Sequence, residues 1–232
     1  MSDQTRQRLD AHHGGAAFHD MMLQSFAGRF GEAFWSFWNE HVAAHHGQAP
    51  TYVDLGCGPG LMLQHWRERW PAATLHGVEL QPYMLDTART MAQQAGATLH
   101  EVDLHTLALP LASGSVDAIL CSMVLHEMRE PIGLLREARR LLGPEGRLML
   151  MDWVRVPLPQ YLARWGDDPL APETDAEARA SRLDHFMEHN KLGRDDLLWL
   201  VERCGLEVET ALDRDGGQFL WLTARARVEP AP

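Results

Sequence analysis

Between Thr51 and Val154 five short apolar runs alternate with helical stretches, and this rhythm restricts the fold more than any other feature of the chain. The runs are Thr51–Leu55, Thr74–Leu80, Thr98–Leu104, Val116–Ser122 and Arg147–Val154. Helical spacing occupies Leu61–Trp70, Pro82–Gln94 and Pro131–Leu142. Pro82 and Pro131 stand where first-turn prolines belong, and Gly96 and Gly143 stand where helices stop. Strand, helix and strand at this spacing require right-handed crossovers, and so a parallel sheet with helices on both faces. After Gly193 the pattern changes. A helix at Arg194–Cys204 precedes two strand-like runs, Glu207–Leu212 and Gln218–Ala224, flanking Asp215-Gly216-Gly217, which is a hairpin signal. The expected fold is an open, twisted α/β sheet, mostly parallel, ending in an antiparallel pair.

Two segments fall outside the alternation. Residues 1–49 read as helical, with Phe18, Met21, Met22, Phe26 and Phe30 spaced near three and four, then Phe34, Phe37, Trp38, His41 and Val42. This segment is expected to cap the ligand pocket of a domain spanning 50–232, with a dimer contact as the competing role. The chain is then a monomer or a homodimer. Residues 155–192, carrying Pro157, Pro159, Pro169 and Pro172, read as an insertion over the carboxyl edge of the sheet, where open α/β folds bind ligands. The 232 residues carry a formal charge of −11. That balance disfavours nucleic acid and anionic membranes as partners, since both repel it. Cys57, Cys121 and Cys204 are scattered and form no CxxC, so neither a disulfide framework nor a zinc ribbon is indicated. With no long apolar run and a polar beginning, a cytoplasmic location is expected.

The sharpest local feature is Val53-Asp54-Leu55-Gly56-Cys57-Gly58-Pro59-Gly60, between the first strand and its helix. Glycines there let the backbone turn tightly and approach a ligand at a helix N-terminus. Glu79 ends the second strand nineteen residues after Gly60. A carboxylate at that place suits the two hydroxyls of a ribose. The loop does not keep the G-x-G-x-x-G spacing of dinucleotide sites, and Pro59 removes a donor that a pyrophosphate would use. With Asp103 after the third strand, Val116–Ser122 as the fourth, and Gly143-Pro144-Glu145-Gly146 before the fifth, the segment from about 50 to 225 resembles the class I S-adenosylmethionine-dependent methyltransferases. Within them it is most similar to the type 11 methyltransferase domain.

That resemblance implies a Rossmann-like fold, S-adenosylmethionine as cofactor and S-adenosylhomocysteine as product. Gly56, Gly58 and Gly60 would line the methionine portion, and Asp54 would hold its ammonium. Glu79 would take the ribose hydroxyls. Asp103 and Leu104 would face the adenine, and Ser122 and Met123 would flank the sulfonium. Nucleic-acid amino-methylating enzymes of this fold carry an Asn/Asp-Pro-Pro-aromatic tetrad after strand four. Here the sequence is Cys121-Ser122-Met123-Val124. A small-molecule acceptor is therefore expected.

Methyl transfer is an in-line displacement, so the protein mainly aligns the acceptor and, where needed, removes its proton. His126, beside Glu127 at the carboxyl edge of strand four, has a suitable unperturbed pKa for a base. Packing in the pocket wall is its other possible role. Asp152 and Trp153 end strand five at the same edge, and Asp152 joins His126 as a candidate for the chemistry. Trp153, Arg155, Tyr161 and His189 are candidate acceptor contacts, with Arg164 and Trp165 as further candidates in the insertion. His185-Phe186-Met187-Glu188-His189 matches an inverted zinc-peptidase motif. That reading leaves the glycine loop and Glu79 unexplained, so no metal is expected. A protein methyltransferase, or an S-adenosylmethionine-binding protein without transfer, are the alternative functions.

Overall fold

A computed structural model describes residues 2–106, 108–163, 171 and 174–227. Seven strands form one sheet: β1 (Thr51–Leu55), β2 (Thr74–Glu79), β3 (Thr98–Glu101), β4 (Val116–Ser122), β5 (Leu142–Trp153), β6 (Leu206–Arg214) and β7 (Phe219–Ala226). Their order is β3-β2-β1-β4-β5-β7-β6. The first five are parallel, and β7 runs antiparallel to both β5 and β6. The order reverses between β1 and β4, which opens a crevice at their carboxyl ends.

Helices α4 (Leu61–Arg69), α5 (Pro82–Ala95) and α6 (Ile132–Leu141) make the crossovers, and α9 (Arg194–Arg203) precedes the hairpin. Before the sheet come α1 (Ser2–His13), α2 (Ala16–Arg29) and α3 (Glu32–His41). Between β5 and α9 lie α7 (Leu158–Ala163) and α8 (Ala176–His189), so the described part of the insertion is largely helical.

The period of two along each strand divides the core between the faces. Val53, Ile119, Leu148 and Leu150 pack with Leu134, Leu135 and Ala138 of α6 and with Leu197 and Val201 of α9. Their neighbours Tyr52, Ala118, Leu120 and Met149 face the other way. They meet Met62, Leu63 and Trp66 of α4 and Phe34, Phe37 and Trp38 of α3. The helix α3 is thus part of a sheet-covering layer, while α1 and α2 reach the crevice.

Several boundaries move. Pro131 is the N-cap of α6 rather than its first residue. β5 begins at Leu142, because Val116 already pairs with Leu142 while Ala118 pairs with Arg147, and the intervening residues bulge. β3 stops at Glu101, leaving Asp103 in the loop before a single 3-10 turn at Leu104–Thr106. The three cysteines are buried and unbridged. Among the described residues no helix is long and apolar enough to cross a membrane.

Candidate active site

The loop from β1 to α4 is clamped to β2: the backbone N–H groups of Gly56 and Cys57 both donate to the Val78 carbonyl at 2.9 Å. Two glycines serve different ends. Gly56 has φ +77°, and a Cβ there would stand 2.5 Å from Val124 Cγ2. Gly58 has φ +54°, and a Cβ there would meet no protein atom within 4 Å. The space over Gly58 is a cavity of about 440 Å³. Gly56→Ala is expected to lower stability by about 1–3 kcal/mol through strain and overlap. Urea denaturation measures this, and a wild-type midpoint would contradict the packing just described.

Glu79 joins the loop to the next crossover. Its Oε2 accepts from Gly58 N at 3.0 Å, and its Oε1 accepts from Leu80 N and Gln81 N at 2.7 and 2.8 Å. Three backbone donors fix the carboxylate at the cavity wall. Asp54, 4% exposed, reaches the same cavity from the end of β1. Burial, reinforced by the Glu79 charge and opposed by Arg29, raises its carboxyl to about 7. Arg29, at the end of α2, also lines the cavity. An acid and a guanidinium thus face one pocket, the pairing that an amino acid's ammonium and carboxylate require.

At the other end, Asp103 Oδ1 accepts from the backbone and ring N–H of His105, and Oδ2 accepts from Thr5 Oγ1 at 2.9 Å. Burial pushes this carboxyl upward, but those hydrogen bonds outweigh it and hold the group below the usual carboxylate range. Leu104, Ser122 and Met123 line the cavity as well. Ser122 Oγ is buried and, among the described residues, has no hydrogen-bond partner. Met123 has φ +61°, an uncommon conformation for a residue with a side chain. An open cradle over Gly58, an unmatched buried hydroxyl, an acid–guanidinium pair and a fixed carboxylate fit the cationic, hydroxyl-bearing group that the sequence implies.

Next to that cavity stands a histidine cluster. His126 lies in a 3-10 turn, Leu125–Glu127, directly after β4. Its Nδ1 is 2.5 Å from Asp152 Oδ1, and its Nε2 is 3.2 Å from Glu127 Oε1. Burial would lower the imidazole pKa, but the charge and hydrogen bond of Asp152, with Glu127, raise it to about 9. His189 of α8 stacks on His126 with centroids 5.0 Å apart, and burial beside two other histidines lowers its pKa to about 3. His126, Glu127, Trp153, His185 and His189 all line the cavity.

Three of the expected site residues do not line the cavity. Asp152 does not line the cavity, and it is 1% exposed. Its Oδ2 accepts from Val124 N and Leu125 N, and its Oδ1 accepts from Trp153 N beside His126. Its carboxylate holds the turn and the imidazole. Tyr161 is buried outside the cavity with Val156, Leu162 and Phe186, and its hydroxyl is hydrogen-bonded with His185 Nδ1 at 2.6 Å. Arg155 is exposed, lies over the Phe186 ring at 5.4 Å and ties its backbone to Leu192. Neither lines the cavity. Arg164 and Trp165 lie outside the described residues. Arg29 was not among the residues expected from sequence. Its only local signal is a lone cation ending an apolar-spaced helix.

Residues 53–150 match the family model described as a methyltransferase domain. The demethylmenaquinone methyltransferase of Thermus thermophilus is 31% identical over 111 residues, covering 47% of this chain and 50% of that protein. The ubiquinone biosynthesis O-methyltransferase of Xanthomonas axonopodis pv. citri is 30% identical over 135 residues, covering 57% and 55%. The chain spans about half the length of these curated relatives. Geranyl diphosphate C-methyltransferase from Streptomyces coelicolor, solved with Mg2+, geranyl diphosphate and S-adenosyl-L-homocysteine, superposes with a TM-score of 0.60 at 20% identity. That superposition covers 86% of this chain and 78% of the other. The sheet order, the glycine loop with its acidic partner and the sequence matches agree in making this chain similar to the class I S-adenosylmethionine-dependent methyltransferases.

Proposed function

We propose that the protein transfers a methyl group from S-adenosylmethionine to a nucleophilic O, N or S of a small, largely apolar molecule, with His126 as the base. The observation that carries this reading is His126, held by Asp152 behind it, on the wall of the cavity lined by Asp54, Gly58 and Glu79. When bound, S-adenosylmethionine supplies a methyl group on a good leaving group, a chemistry that needs no Lewis acid. Glu79 holds the ribose hydroxyls, Asp54 and Arg29 hold the methionine ammonium and carboxylate, and Asp103 with Leu104 faces the adenine. Ser122 and Met123 border the reacting centre. His126 Nε2 takes the acceptor's proton, and Asp152 stabilises the imidazolium formed.

The walls support a small apolar acceptor. Phe18, Met22, Phe26, Met128 and Trp153 line the cavity, and α1 and α2 contribute much of its lid. A pocket of this size and character fits a metabolite rather than a folded chain. The test uses methyl-labelled S-adenosylmethionine with a cell extract divided into low-mass and macromolecular fractions. Label is expected in the low-mass fraction. Label confined to macromolecules would overturn the acceptor assignment, and no label despite cofactor binding would favour a binding protein. Glu79→Ala is expected to weaken cofactor binding about 100-fold or more, because two hydrogen bonds to a charged group are lost.

A further inference from the structure

We propose that His126, Glu127 and His189 form a binding site for a divalent transition-metal ion of the zinc or cobalt type, separate from the needs of methyl transfer. One ligand atom from each of these three side chains lies within 4.8 Å of the other two. Glu127 Oε1 stands 3.2 Å from His126 Nε2 and 3.7 Å from His189 Nε2. Ligands at zinc-like bond lengths around a tetrahedral ion are about 3.3 Å apart, so two of the three separations are already close to that spacing. The third separation lies within 4.8 Å.

The atoms behind the ligands support the same assignment. Metal-binding histidines commonly donate their second ring N–H to a carboxylate or a backbone carbonyl, which fixes the tautomer and aims the other nitrogen. His126 has its Nδ1 against Asp152 Oδ1 at 2.5 Å. His189 has its Nδ1 3.1 Å from the His185 carbonyl oxygen. Both rings therefore direct Nε2 toward Glu127. The turn is also held from behind: Lys191 Nζ donates to the His126 carbonyl at 2.7 Å, and Arg8 donates to the Glu127 carbonyl at 2.6 Å. Those two cations make a moderate affinity more reasonable than a very tight one. Two imidazoles and a carboxylate select a borderline ion over magnesium or calcium, and the fourth position faces the cavity.

A bound ion would tie α8 to the turn after β4 and occupy the Nε2 lone pair of His126. On the reading of His126 as base, it would inhibit methyl transfer. The site itself is tested without cofactor or acceptor. Untagged protein, stripped with a chelator and exchanged into metal-free buffer, is titrated with cobalt(II) chloride, and the visible d–d absorption is followed. A saturable band of tetrahedral intensity is expected, displaced by zinc. His189→Ala and Glu127→Gln should each weaken it about 10- to 100-fold or more, and Asp152→Asn about tenfold, with folding checked by circular dichroism. No saturable band, or one unchanged in both ligand variants, would overturn the site. Cobalt binding without zinc inhibition would instead contradict the base assignment of His126 and leave the metal site standing.

Discussion

His126→Ala is expected to lower kcat by about 10²- to 10⁴-fold, the usual contribution of a positioned base, while leaving the affinity for S-adenosylhomocysteine unchanged. The separation arises because the imidazole stands on the turn after β4, away from Asp54 and Glu79 on β1 and β2. The pH profile carries more information than the rate alone. With its pKa raised to about 9, His126 is mostly imidazolium at pH 7, and only the neutral ring accepts a proton. The value of kcat/KM is therefore expected to climb about tenfold per pH unit from 7 and to level off near 9. Asp152→Asn removes the charge that raises the imidazole, so the plateau should begin at lower pH although maximal turnover falls. A flat profile in the wild type, or an unshifted one in Asp152→Asn, would remove the pair from the chemistry.

The second large effect concerns Asp54, where binding and stability oppose one another. A carboxyl raised in the folded state prefers to be neutral there. The folded protein then binds the proton more tightly than the unfolded chain, and stability falls as pH rises from the unfolded value near 4 through the folded value of about 7. The shift corresponds to about 4 kcal/mol, fully expressed only above pH 7. Asp54→Asn is therefore expected to raise the melting temperature of the ligand-free protein at pH 8 and to change little at pH 4. The same substitution should weaken S-adenosylhomocysteine binding about 10- to 100-fold, since it removes the partner proposed for the ammonium. Thermal melts at both pH values and a binding titration measure the two halves. An Asn variant less stable than wild type at pH 8 would show that Asp54 serves the ligand-free fold.

Legibility in the sequence followed the range of each interaction. The strand ends, the hairpin at Asp215–Gly217 and the loop Gly56–Gly60 have local causes: period-two burial, turn residues and positive φ. Glu79 was legible for a similar reason, because the end of β2 falls at a fixed distance after the glycine loop. The rest depended on chain segments distant in sequence. Asp152 was recognisable as an acid at a strand end, but its oxygens are taken by the turn after β4, which no local pattern specifies. Tyr161 and Arg155 sat in the expected region. Their orientation follows from α7 packing on α8, where Tyr161 fills a small core and meets His185. The Thr5–Asp103 hydrogen bond and the approach of Arg29 to the cavity follow from how α1 and α2 lie across the crevice. Likewise His185 and His189 match a peptidase motif by spacing. In the fold His189 meets His126 and Glu127, while His185 turns its Nδ1 to Tyr161.

The most direct test of the central claim, that the cavity over Gly58 and Glu79 is where S-adenosylmethionine is held, is a calorimetric titration of S-adenosylhomocysteine. Wild-type protein and Glu79→Ala are compared, with both variants shown to fold. The predicted result is saturable 1:1 binding by the wild type that is lost, or weakened about 100-fold or more, in the variant. Wild-type protein that binds nothing, or a variant that binds as well as the wild type, would contradict the account.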